Sequence, residues 1–415
     1  MRYFHLLLKY PRYIGYGMLH YFFSGPGQSF FLALFSVYFG AAVLVDEVEF
    51  ASLYSAGTLM SALLIPWVGK LLDEVMLRKF SLVLGLVFSA FCVLASFVFH
   101  PIMLIFVFFG LRLCGQGLMP LTASTAIARY FEAERGQALA LVNMGVSLAE
   151  MSMPAAIVFM IGWAGWQQSW WIVAAVILLI FLPLSWFLIP ANSSFQFNQE
   201  RTDTKKNDEK SRNQSASRAE VLRDPSFYIL TLVYLFVPFF VTGIFVNQAL
   251  LGKANGWSLE QLAAAFALFG TSRFLTNLLA GPIIDRITAL RAFSGILIPM
   301  AIGTSLLLFS NDIWVGYAFF MFSGVSASLS SLTSTAMWAE MYGTGSLGAI
   351  RSMVSTFMVF STAAAPIIMG WILADGADSV YAMMLGAVIV MAFFTLLAFW
   401  RVGMALKGRD AVMPS

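Results

Sequence analysis

Twelve apolar runs organise the chain, separated by short polar breaks and one long one. They cover residues 13–40, 49–72, 79–99, 101–128, 135–161 and 166–190, then 225–252, 258–287, 290–309, 313–340, 344–374 and 379–406. Each is long enough for an α-helix to cross bilayer hydrocarbon, which takes roughly 20 apolar residues. A helix also satisfies its backbone polar groups internally, which that medium demands. The pattern predicts an all-α membrane protein with twelve transmembrane helices in two six-helix pseudo-symmetric bundles, residues 1–190 and 225–415. The long break, residues 191–224, is rich in Asn, Gln, Ser and mixed charge. It has too little apolar surface to fold alone and reads as a flexible linker, with a short amphipathic helix near Ala219–Leu222.

The two-bundle expectation rests on an internal repeat. The break after the second run reads Gly69-Lys70-Leu71-Leu72-Asp73-Glu74-Val75-Met76-Leu77-Arg78-Lys79. It returns 212 positions later as Gly281-Pro282-Ile283-Ile284-Asp285-Arg286-Ile287-Thr288-Ala289-Leu290-Arg291, so that Gly69, Asp73 and Lys79 match Gly281, Asp285 and Arg291. A second echo joins Leu121-Thr122-Ala123-Ser124-Thr125-Ala126 to Leu332-Thr333-Ser334-Thr335-Ala336.

Composition and charge sharpen this reading. The 415 residues are 60% hydrophobic and only 11% charged, against about a quarter charged in soluble domains. Of 24 Lys and Arg residues, 21 fall on one side of the predicted membrane, and Lys253 alone is placed opposite. Positive charge favours the cytoplasm, so both termini and the long break are expected there. Cys92 and Cys114 sit in apolar spans, so neither a disulfide framework nor a zinc site is expected. The histidines His5, His20 and His100 lack ligand spacing, and no nucleophile motif or phosphate loop appears. No enzyme activity, metal, cofactor or nucleic-acid partner is expected. The basic start leads into a span without an evident cleavage site, so no cleavable leader is expected.

The repeated stretch resembles the loop signature of the major facilitator superfamily, G-x-x-x-D-x-x-x-x-[KR]-[KR], between the second and third helices of each half. The second copy carries Leu290 where Arg78 stands in the first. The resemblance implies a secondary transporter working by alternating access, expected as a monomer in a bacterial inner membrane. It also suggests a gate. Asp73 would cap the eleventh span near Gly345–Gly348 in the outward-facing state, and Asp285 the fifth near Gly136, with Arg78, Lys79 and Arg291 orienting the carboxylates. A carboxylate at a helix N-terminus gains about 0.3–1 kcal/mol.

Three ionisable residues lie deep in the predicted spans, where charge is expensive and therefore a candidate for function: Arg112, Glu150 and Arg273. Arg112 heads Arg112-Leu113-Cys114-Gly115-Gln116-Gly117, which resembles the superfamily's fourth-helix R-x-x-x-G pattern with its glycines displaced. Two readings of Arg112 stay open: a structural anchor on carbonyls and a neighbouring acid, or part of the coupling machinery. Glu150 either carries the coupled proton or neutralises Arg112. Arg273 has the planar fork that suits a carboxylate. The chain around it is similar to the monocarboxylate and oxalate–formate carriers, whose eighth helix holds an arginine proposed to bind substrate. Tyr130-Phe131, Arg135 to Ala140 and Pro154, and Gly165-Trp166-Gln167, resemble two further stretches of that subgroup. Gln167 replaces an arginine there and Phe269 an aspartate, so the implied cargo is an organic anion more generally.

Gln28, Gln116, Asn143, Asn247, Gln248 and Asn277 can donate and accept hydrogen bonds and are expected to complete a cavity at the interface of the halves, where carrier sites lie. Proton-coupled efflux of a lipophilic drug or metabolite, and a nontransporting membrane sensor, are the alternative functions. The orientation is testable by labelling. With an impermeant thiol reagent, Asn207→Cys is expected to react only from the cytoplasm and Asp46→Cys only from outside. Reversed labelling would overturn the topology.

Overall fold

Eleven helices among the described residues are long and apolar enough to span a membrane, and a bent pair completes a twelfth span. The computed structural model describes residues 2–131, 135–189, 218–342, 347–373 and 377–412. The first span, α1, runs Pro11–Ala33 and continues after a 70° bend as Ser36–Val43. Next come α2 (Glu47–Glu74), α3 (Leu77–Ala95), α4 (Pro101–Tyr130), α5 (Arg135–Ala164) and α6 (Trp166–Leu188). The second half holds α7 (Pro225–Val246), α8 (Leu259–Ile287) and α9 (Ala289–Leu306), then α10 (Ile313–Tyr342), α11 (Leu347–Leu373) and α12 (Ala377–Val412). No strand occurs among the described residues, and the all-α fold expected from the apolar pattern is the one observed. The expected linker lies outside the described residues up to position 217. A helix does form at its end, Arg218–Arg223, with Val221 buried.

The repeat reaches further than its loop. At the start of α2, the Glu49 N–H donates to Asp46 Oδ1 at 2.7 Å and the Asp46 N–H donates to Glu49 Oε2 at 3.1 Å. At the same offset of 212, the Gln261 N–H donates to Ser258 Oγ at 3.3 Å and the Ser258 N–H to Gln261 Oε1 at 2.8 Å, starting α8. Each box satisfies two donors that a helix start leaves free, and its capping residue contributes about 1 kcal/mol. Pro26 and Pro238, and Pro154 and Pro366, keep the same register. Each of these prolines removes a backbone donor from its span and so loosens it at matched depths in the two halves.

Packing then fixes how the halves meet. Across the interface α5 lies along α8 and α2 along α11. At Gly270 of α8 the backbones come close: a Cβ there would stand 2.6 Å from the carbonyl carbon of Glu150. Within the first half, the Gly25-Pro26-Gly27 turn breaks α1 and seats against α4, where residues Arg112–Leu118 widen into a π-helical turn. A Cβ on Gly115 would lie 2.6 Å from the Gly27 Cα, so glycine is required on both sides of this crossing. Further along α1, Trp170 of α6 packs on Phe31 and Phe35.

Because backbone faces backbone at this crossing, no side-chain movement can make room for a methyl group. Gly115→Ala is expected to lower the thermal midpoint in detergent by an amount equivalent to about 1–3 kcal/mol, the usual cost of overpacking. An unchanged melting curve would show that the crossing yields more easily than its geometry implies.

Candidate functional site

A cavity of about 280 Å³ lies between the halves, at the level where α5 and α8 cross. The broken α1 contributes Gln28, Ser29 and Phe30, α4 contributes Gln116, and α5 contributes Glu150. From the second half come residues of α7, α8, α10 and α11, including Tyr234, Val237, Pro238, Val241, Thr242, Phe245, Phe269, Arg273, Met358 and Thr362. The α7 positions recur every three or four residues, so one helical face lines the cavity.

Two charged side chains appear in that lining, and they are joined. Arg273 Nη1 donates to Glu150 Oε1 at 2.5 Å, with side-chain exposures of 18% and 7%. This pair bridges the two halves. Its capacity is only partly used: Glu150 Oε2 and Arg273 Nε are buried with no protein partner among the described residues. A pair buried in low dielectric is held by its mutual charge, and removing one member typically costs about 3–5 kcal/mol.

The expected partnership of Glu150 with Arg112 is corrected by this geometry. Arg112, fully buried, donates from Nη1 to the Gly27 carbonyl and to Ser29 Oγ, each at 3.3 Å, and lies 5.0 Å from the centroid of the Tyr54 ring. The reason lies in the helix break, because the interrupted α1 leaves carbonyls without an intrahelical donor. Arg112 takes one of these, while Gly270 lets α8 approach α5 closely enough for Arg273 to take Glu150. Arg112 does not appear in the cavity lining, whereas its neighbours in contact and sequence, Ser29 and Gln116, do.

Of the six amides expected to line the cavity, Gln28 and Gln116 do so, and the other four sit elsewhere. Asn247 donates from Nδ2 to the carbonyls of Gly243 and Pro366 at 2.9 and 3.0 Å, so it ties α7 to α11. It also borders a separate hollow of about 190 Å³ with Asp46 and Glu47. Asn277 accepts from Ser328 Oγ at 2.7 Å and donates to Ser147 Oγ at 3.5 Å, binding α8 to α10 and to α5 one turn beyond the ion pair. Gln248 is buried and its amide has no protein partner among the described residues. Asn143 is half-buried on α5, about two turns from Glu150, outside the cavity lining.

The loop signature is described only in part. The side chains of Asp73 and Asp285, Gly281, Gly136 and residues 343–346 lie outside what is described, and with them both expected caps. Gly69 packs closely, its Cβ position falling 3.1 Å from Leu121 of α4. The Arg78 guanidinium stands 3.7 Å from the Trp186 ring centroid, a cation–π contact inside the first half. Lys79 and Arg291 are exposed.

Sequence reasoning missed two polar clusters at the end of α10. Glu340 at the end of α10 accepts from the backbone N–H groups of Ala289 and Leu290 at 3.0 and 3.1 Å, capping α9. Asp224 caps α7 through Ser226 and also accepts from the Tyr342 hydroxyl at 2.8 Å, with Arg401 of α12 3.6 Å away. Partial burial alone would raise the Asp224 pKa, but these hydrogen bonds and the Arg401 charge hold it below the usual carboxylate range. The signal for Glu340 was present as an acid in the last turn of an apolar span, where a helix would favour a base.

Arg112 therefore anchors the break in α1 and does not touch the cavity. Arg112→Lys keeps the charge and loses the fork. It is expected to lower thermal stability by about 1–3 kcal/mol, the cost of leaving a buried polar group unsatisfied, while ligand affinity measured by calorimetry changes less than twofold. A large loss of affinity at unchanged stability would move Arg112 into the site.

Comparison with known proteins places the chain in context. The sequence matches the family model of the Major Facilitator Superfamily over residues 17–250 and again over 230–411. Comparison with curated proteins gives no match. Among solved structures, the fold is similar to a bacterial homologue of the human lysosomal transporter Spinster in an inward-facing, unoccupied conformation. The TM-score is 0.72 at 15% identity, covering 95% of this chain and 97% of that one. It is also similar to a mutant of the nucleoside transporter NupG, with a TM-score of 0.71 at 11% identity over 93% and 100% of the two chains.

Proposed function

The chain belongs to the major facilitator superfamily, and from that premise we propose that it moves a small organic anion together with a proton by alternating access. The observation that carries this reading is the Glu150–Arg273 pair, which bridges the halves inside the cavity. A carboxylate cargo presents to Arg273 the same two oxygens that Glu150 presents, so cargo and Glu150 compete for one guanidinium. When the anion wins, Glu150 is left ionised in a low-dielectric site, and a proton cancels that charge. Loaded with both, the site is neutral: the anion sits on Arg273 and the proton on Glu150. Empty, it is neutral again, with Glu150 back on Arg273.

Either cargo alone leaves an uncompensated charge near the hydrocarbon. Disrupting a buried pair in that way costs about 3–5 kcal/mol, which suppresses uncoupled movement by a factor of roughly 10²–10⁴. The requirement for both cargoes is thus supported by elementary electrostatics and needs no further group. Among the described residues lining the cavity no other charged side chain stands near the pair to relieve either state. Gln28 and Gln116 offer hydrogen bonds that would orient the anion without adding charge. Alternation would swing the halves about the α5–α8 and α2–α11 contacts, with both termini in the cytoplasm.

Transport assays in proteoliposomes separate the two roles. Glu150→Gln is expected to keep anion exchange measurable while abolishing accumulation driven by a pH gradient, because no proton is bound or released. Arg273→Lys retains charge but not the fork, and affinity is expected to fall by about 1.5–3 kcal/mol, the range for a charged hydrogen bond. Full anion affinity in a well-folded Arg273→Ala would remove this assignment. Efflux of a lipophilic cargo unaffected by that substitution would favour the drug-carrier alternative.

A further inference from the structure

The cavity wall opposite the first-half amides has its own chemistry. On α7 the residues Val237, Pro238, Val241 and Phe245 share the lining face, and Phe269 of α8 and Met358 of α11 extend it. Phe245 and Phe269 contact each other edge to face with ring centroids 5.0 Å apart, and Phe266 supports Phe245 at 4.6 Å. Such edge-to-face packing fixes ring positions, so these residues form a preformed apolar stretch, bordered in the same half by the hydroxyls of Tyr234, Thr242 and Thr362. Phe269 and Arg273 are one helical turn apart on α8, which places the start of the apolar wall next to the guanidinium.

Space points the same way. At about 30 Å³ per water, 280 Å³ holds about nine waters. Formate or lactate on Arg273 would leave most of that volume as water, part of it held against Pro238, Val241 and Met358, which gain nothing from it. An anion carrying an apolar body would fill the volume and cover the partly exposed Pro238, Val241 and Met358, behind which Phe245 and Phe269 are already buried.

Resting on the reading of Arg273 as the anion site, we propose that the cargo is an amphipathic monocarboxylate with an aryl or medium-length alkyl body, exemplified by 3-phenylpropanoate, rather than a short hydroxy or keto acid. The carboxylate binds Arg273 in place of Glu150, and the body lies along Val241 and Phe245. A zwitterion of the same shape is the rival, because its ammonium group can bind an ionised Glu150 and remove the need for a proton.

Binding and counterflow in proteoliposomes with 3-phenylpropanoate, lactate and phenylalanine test the assignment. The expected order puts 3-phenylpropanoate ahead of lactate by about tenfold or more in affinity, which burial of two methylene equivalents already supplies. Val241→Thr adds a hydroxyl at nearly constant volume, and is expected to cut the affinity ratio of 3-phenylpropanoate over lactate severalfold. Lactate transported as well as or better than 3-phenylpropanoate would overturn the amphipathic class and leave the anion reading standing. Phenylalanine carried in preference to 3-phenylpropanoate, without pH dependence, would overturn both in favour of a zwitterion. Failure of both carboxylates to bind would overturn the anion reading itself.

Discussion

Charge cannot be left uncompensated in hydrocarbon, and the interior of this protein is arranged around that constraint. A charged group at the bilayer centre costs several kcal/mol even after relaxation. Glu150 and Arg273 meet that constraint together, one from each half, at 2.5 Å. The contact depends on α5 and α8 lying close enough for the side chains to meet, and Gly270 provides the approach. One turn further along, Ser147, Asn277 and Ser328 continue the same seam with neutral hydrogen bonds. The interface between halves is thus polar where it borders the cavity. Its charged part is also the part that an anion and a proton can replace without net change of charge.

Arg112, whose Nε and Nη2 have no partner among the described residues, meets a different need, that of a backbone carbonyl freed inside the membrane. The Gly25-Pro26-Gly27 turn interrupts α1 and frees backbone carbonyls inside the membrane. Arg112 satisfies the Gly27 carbonyl, and the π-helical turn that begins at Arg112 seats Gly115 against Gly27. The break, anchored in this way, delivers Gln28 and Ser29 to the cavity, where a continuous helix would have followed a different path. Arg112 therefore reaches the site through the Gly27 carbonyl and the Ser29 hydroxyl that it holds.

Much of this architecture was legible in the sequence, for physical reasons. Apolar runs of that length cross a bilayer as helices, and the Gly69 to Lys79 loop repeated at Gly281 to Arg291 announced two halves. The same offset of 212 links Asp46 with Ser258 and Pro154 with Pro366, which a wider search for the repeat would have found. Burial cost alone picked out Glu150, Arg112 and Arg273 as the deep charges. Their pairing was not legible, because neighbouring spans in sequence need not bring their charges together. It depends on which helices have glycine at the crossing and on which backbone carbonyls a broken helix leaves free. For Asn247 and Asn277, side-chain type was a poor guide in the same way. An amide in a span serves a ligand or a neighbouring helix according to packing that periodicity does not encode.

The proposed coupling is tested most directly by counting protons as the anion binds. With purified protein in weakly buffered detergent solution near neutral pH, addition of 3-phenylpropanoate should draw one proton from solution for each anion bound. The same titration of Glu150→Gln should give anion binding without proton uptake. Binding of the anion to the wild-type protein with no proton taken up, or uptake that survives in Glu150→Gln, would contradict the exchange of Glu150 for cargo on Arg273.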